Sequence, residues 1–168
     1  MTDPAPGGPT RWTAVTRSAL GFAALGAGLV HLALAVGAPV PLAVGLIGVG
    51  AAEFLWGVLT VSRPGVPLPR VAIAGALVPI ATWIVLLVAG ISGPRVLPML
   101  AATVLGLAVA IGLAAGLRRA PRPEPARPAV GIAIAALVVA AITVPALIAT
   151  EAVDALPPPP SEHEQPLH

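Results

Sequence analysis

SALGFAALGAGLVHLALAVGA, residues 18–38, holds one titratable side chain, His31, in a run otherwise built of alanine, glycine, leucine, valine, phenylalanine and one serine. A helix of ~20 such residues crosses the ~30 Å of hydrocarbon in a bilayer. The stretch therefore predicts a membrane span rather than one element of a water-soluble core. Four similar stretches follow at about 41–61, 71–91, 96–117 and 130–150, with prolines clustered in the gaps between them. Proline interrupts helices and is tolerated in such connections. The sequence thus predicts an all-α polytopic membrane protein, a bundle of about five transmembrane helices.

The whole chain agrees with its first span. Of its 168 residues, 57% are hydrophobic and 10% charged, whereas soluble domains carry about 25% charged residues. The nine basic residues are all arginine, scattered along the chain, and with 3% aromatics and no tyrosine they lack the clustered charge and stacking rings of a nucleic-acid surface. Without cysteine there is no disulfide, thiolate metal site or cysteine nucleophile. Arginine in place of lysine, with the Ala, Gly, Pro and Val bias, resembles the usage of a GC-rich bacterial genome.

Three regions follow: a Pro/Gly-rich lead at 1–12, read as disordered and cytoplasmic; the membrane domain at 13–150; and an acidic, Pro-rich tail at 151–168 with PPPP at 157–160, read as disordered and extracytoplasmic. The first span has Arg11 and Arg17 before it and LAVGA at 34–38 within it, features shared with secretory leaders. Its apolar run exceeds the ~7–15 residues of a leader's core, so a retained helix is expected. Arginines alternate in number along the chain. There are two before the first span, none in the first loop, two in the second, one in the third, four in the fourth and none in the tail. Alternate segments therefore sum to eight against one, and the positive-inside rule places the N-terminus in the cytoplasm and the tail outside a bacterial plasma membrane.

Lipid tails are as apolar as leucine, so membrane helices associate through small residues that let backbones approach. GLAAG at 112–116 is a GxxxG step, and Ala108 extends its stripe by one turn. Gly28 shares a face with His31, and Gly50 and Gly57 share one with Glu53. These six small residues are the candidate helix contacts, and they leave room for a homo-oligomer or a membrane-protein partner beside the lipid bilayer. Pro79 and Pro145 lie inside the third and fifth spans, where each withholds one N–H from the helix.

His31 and Glu53 are the titratable groups within the spans. Charged groups at bilayer depth are costly, so they face the bundle interior and pair with one another or with backbone. The GAPVP connection makes the first two helices antiparallel neighbours. With the turn centred at Pro39, Gly48 is level with His31 and Glu53 lies ~7.5 Å deeper at 1.5 Å per residue. That offset is long for an ideal direct bond, yet within reach of two long side chains, helix tilt or one water. Thr82, Thr103 and Thr143 are the alternative hydroxyl partners. A pair formed in this way either fixes the register of two helices or handles a proton, cation or small polar ligand.

Elsewhere the signals are thin. EHE at 162–164 with His168 offers His163 and His168 as candidate metal ligands on a flexible tail, for which a solvated terminus is the plainer reading. The chain has no GxSxG, HExxH or P-loop, so no enzyme and no cofactor is expected. AGLVHLALAVG at 27–37, GLIGVGAAEFLWGVL at 45–59 and ALVPIATWIVLL at 76–87 together resemble a type of small multi-pass membrane protein common in actinobacteria. On that pattern His31, Glu53, Trp56 and Trp83 match. GAPVP stands where that type has a Pro-Glu-His segment, and no Arg-Thr step follows Trp83. The resemblance implies a topology and a bacterial origin, and no activity. The activity expected is that of a structural or accessory membrane component, or else of a small transporter or sensor acting through Glu53 and His31.

Overall fold

In the computed structural model, residues 11–154 are described apart from 89, 91–95, 122 and 124–126. Five helices follow in order: α1 (Ala14–Ala35), α2 (Val40–Ser62), α3 (Pro69–Val88), α4 (Val96–Arg118) and α5 (Pro128–Asp154). No strand occurs among the described residues, and all five helices are long and apolar enough to cross a membrane. Residues 1–10, Arg95, Arg122 and the tail from 155 onward, with its PPPP run, His163 and His168, lie outside the described residues.

Local chemistry sets the helix ends. α1 begins four residues before the apolar run, because Thr13 caps it by accepting a hydrogen bond from the Thr16 N–H at 3.2 Å. An N-cap side chain satisfies one of the first-turn donors that lack an intrahelical acceptor. α2 and α3 carry Pro41 and Pro69 in their first turns, where the missing proline N–H costs nothing. The chain leaves α1 and α3 through Gly37 and Gly90, both in the left-handed region with φ of 69° and 71°. α3 and α5 continue through Pro79 and Pro145.

α1 is the hub. It packs against α2, α4 and α5, while α3 leans on α4 and touches α2 only slightly. Glycine positions give the register. A Cβ on Gly28 would lie 2.7 Å from the Gly50 carbonyl oxygen, and one on Gly50 would lie 2.8 Å from that of Gly28. Gly57 meets the Gly21 carbonyl oxygen at 2.8 Å in the same construction. The four glycines thus form an antiparallel seam along which the two backbones touch, one heptad between contacts. α4 is also antiparallel to α1, with Gly112 against Leu20 and Gly116 against the Trp12 ring. α5 runs parallel to α1, with Gly131 against Val15 and Gly26 against Thr143.

The GxxxG step in α4 therefore makes a different contact from the one its spacing suggests. Gly112 receives the Leu20 side chain of α1 and Gly116 the ring of Trp12, which precedes that helix, rather than a second backbone, and Ala108 is exposed. The close backbone crossing belongs to α1 and α2, and Gly21 joins it as a residue the sequence reading did not name.

The outer surface is apolar: Val88 and Leu137 are 83% and 71% exposed, and valine, leucine and isoleucine dominate the outward faces of α2, α3 and α5. Water does not tolerate so continuous an apolar surface on a monomer; a bilayer requires it. Arg11, Arg17, Arg63, Arg70, Arg118, Arg119 and Arg127 all fall at one end of the bundle, and Glu151 falls toward the other.

Candidate functional site

The α1–α2 seam brings the two intramembrane ionisable groups together. His31 Nδ1 lies 2.7 Å from Glu53 Oε2, with the His31 side chain 3% exposed and that of Glu53 13% exposed. The glycine contacts hold the two helices in register, and the offset between His31 and Glu53 is bridged directly. Side chains on a helix lean toward its N-terminus. In an antiparallel pair, a residue near one end of the offset and a residue near the other therefore lean toward each other. Here the geometry turns the offset into a bond.

Two arrangements satisfy that bond: Nδ1–H donating to a carboxylate, or a carboxyl O–H donating to a neutral ring nitrogen. The pair is neutral when the donor is an imidazolium or a carboxyl group, and carries one negative charge when a neutral imidazole donates its Nδ1–H.

Glu53 also borders a cleft of ≈ 370 Å³. Gly48, Ala52 and Trp56 of α2 form one wall, Val71, Gly75 and Val78 of α3 the other, and Ala24 and Ala27 of α1 with Gly106 and Val109 of α4 form the floor. The cleft exists because α2 and α3 scarcely touch and because Gly48 and Gly75 have nothing within 4 Å of where a Cβ would stand. It opens between α2 and α3, on the side facing lipid. On the other side of the pair is a void of ≈ 10 Å³ bounded by Pro79, Met99 and Thr103, about the size of one water.

One end of the cleft is fixed by the α2–α3 connection. The Trp56 Nε1–H donates to the Pro67 carbonyl at 2.8 Å, which holds the indole against the cleft wall. Leu68 on the rim has φ of 43°, a left-handed conformation that costs a branched side chain of order 1–3 kcal/mol, and the following proline restricts it further.

Of the threonines considered as partners, Thr103 reaches the void beside the pair. Thr82 is exposed and donates to the Val78 carbonyl at 3.0 Å. Thr143 is buried against Gly26, its hydroxyl without a hydrogen-bond partner among the described residues. Trp83 is buried, and the Trp12 ring lies over Gly116. Sequence reasoning missed the Trp56–Pro67 bond and the cleft itself. Nothing in the sequence sets Gly48 and Gly75, which line the cleft, apart from the glycines that neighbouring helices cover. Among the described residues no group of three His, Cys, Asp or Glu stands together to hold a metal.

Fold and site together define a multi-pass, five-helix membrane protein with a buried His–Glu pair bordering a cleft. Compared with protein families, with curated proteins and with solved structures, the chain gives no match.

Proposed function

We propose that this protein binds a small molecule from within the bilayer, in the cleft between α2 and α3, and that His31 and Glu53 are the polar element of that site, in the manner of a small transporter or sensor. The observation that carries the reading is the position of Glu53. Its carboxyl is bonded to a buried imidazole and at the same time borders a cleft of ≈ 370 Å³, within the ~300–1,000 Å³ typical of small-molecule sites. A purely structural hydrogen bond needs no cavity beside it.

The alternative, a structural or accessory component assembled through small-residue faces, draws less support. Gly28, Gly50, Gly57 and Gly112 are already covered by neighbouring helices of the same chain and Gly116 by the Trp12 ring, so of the six small residues expected to make contacts Ala108 alone stays exposed. The remaining expectations stand as proposals beside the first: a bacterial plasma membrane, an origin among the actinobacterial proteins it resembles, no enzymatic activity, and the arginine-rich end in the cytoplasm. Labelling the C-terminal tail in intact cells succeeds on that orientation, and a protected tail reverses it.

The site is tested with a variant carrying Trp12→Phe and Trp83→Phe, so that Trp56 is the one indole left, in phosphatidylcholine nanodiscs. Small cationic, anionic and neutral amphiphiles are titrated against its fluorescence. A saturable response to one of these classes that disappears when Gly75→Leu fills the cleft supports a binding site. Responses that never saturate, or that Gly75→Leu leaves unchanged, sink it.

A further inference from the structure

The lining of the cleft restricts what it can hold. Apart from Glu53 and Trp56, its walls and floor are alanine, glycine, valine and leucine. An anion would meet Glu53 and no cationic side chain, since His31 does not line the cleft. A neutral polar molecule would bury donors and acceptors without partners, which costs of order 1–3 kcal/mol each. A divalent metal would find a single carboxylate where such ions take several oxygen ligands. A monovalent cation on an apolar body meets none of these objections. Its charge is offset by Glu53, its body fits the apolar walls, and Trp56, one helical turn from Glu53, supplies an aromatic ring that attracts cations within about 6 Å of its centroid.

The charge of the pair sets a further condition. In either neutral form of the His31–Glu53 pair, adding a cation leaves an uncompensated positive charge in a low-dielectric site, an expensive state. Releasing the proton restores neutrality: the bound cation and the Glu53 carboxylate balance, and His31 is left as a neutral ring. Among the described residues no other ionisable side chain borders the void beside the pair. α1 contributes His31 and α2 contributes Glu53, while the surrounding residues of α3 and α4, among them Ala76, Ile80, Met99 and Thr103, carry none.

We propose that the ligand of the α2–α3 cleft is a lipophilic monovalent cation, an amine or quaternary onium with an apolar body, taken up in exchange for the proton shared by His31 and Glu53. This rests on the reading of the cleft as a small-molecule site and adds its chemistry. The balance is one cation in and one proton out, with no bond broken other than that to the proton.

The probe is tetraphenylphosphonium, whose charge is permanent, titrated calorimetrically into the full chain in phosphatidylcholine nanodiscs. Buffers of different ionisation enthalpy report proton release. Binding is expected to release about one proton and to tighten about tenfold per pH unit while the pair is protonated. Glu53→Gln should weaken binding by at least about tenfold and abolish the release, where tenfold is the affinity a lost ~1.4 kcal/mol represents. Glu53→Asp, which keeps the charge, should retain both binding and release, and far-UV circular dichroism checks that each variant is folded. Triphenylmethane serves as the neutral probe of similar bulk. If it binds as well as the cation, or if the cation binds without proton release and Glu53→Gln makes no difference, the cation assignment is overturned while the small-molecule site survives. If neither probe gives saturable binding, the cation assignment and the site fall together.

Discussion

Toward α1, helix α2 presents Gly50 and Gly57, each seated against a glycine of the opposing backbone. Toward α3 it presents Gly48 and Ala52, and across the gap stands Gly75 with nothing near its missing side chain. The residue types are alike on the two sides, and the outcomes are opposite. Small residues close an interface when they come in register on both helices, so that one absence of a side chain fits another. Where the helices do not come together, the same smallness leaves a cavity. Glu53 sits between the two conditions, its partner supplied by the closed side and its access by the open one.

The contrast is most easily broken on the closed side. Gly28→Val and Gly50→Val place side-chain atoms where less than 3 Å separates an added Cβ from the opposing carbonyl oxygen. Each is expected to cost about 3 kcal/mol, the upper range for overpacking, and the pair together to lose the folded protein in thermal melts in detergent. A native melting temperature for the double variant would mean that the seam is not closed. His31→Ala comes next. It leaves the Glu53 carboxyl without its imidazole, at a cost of about 2 kcal/mol for a largely buried polar group, whereas Glu53→Gln, which keeps a hydrogen-bonding head, should cost less. Equal melting temperatures for the two variants would argue that the bond between them contributes nothing. Trp56→Phe removes the donor to Pro67 and should lower stability by about 1 kcal/mol, with the α2–α3 connection becoming more susceptible to protease. Gly75→Ala is the control on the open side. It meets no neighbour and is expected to be neutral or stabilising by up to about 1 kcal/mol through helix propensity. A loss of stability there would show the cleft to be closed.

The five spans were legible because lipid imposes a length and an apolarity that few other segments reach. α1 begins four residues before the apolar run because Thr13 caps a first turn that carries Thr16 and Arg17, polar residues that hydropathy discounts. The face shared by Gly28 and His31, and that shared by Gly50, Glu53 and Gly57, followed from helical periodicity. Two features did not. In water an apolar stripe marks which side of a helix is inside; here α1, the buried hub, and α3, largely exposed, are apolar all round, so the sequence holds no such stripe to read. The GxxxG motif of α4 likewise named a close contact without saying whether a backbone or a Leu20 side chain fills it.

The central place of α1 has a consequence for how the protein is made. The helix that three others pack against leaves the ribosome ahead of the other four, and it carries its imidazole into the membrane before any of them. α2 is the next to follow, and it brings a carboxyl group whose entry alone would be unfavourable by a few kcal/mol. The seam between them needs only these two helices and a four-residue turn at Val36–Pro39. Each of the two awkward residues is therefore met by its partner within the α1–α2 hairpin, before α3, α4 or α5 has arrived.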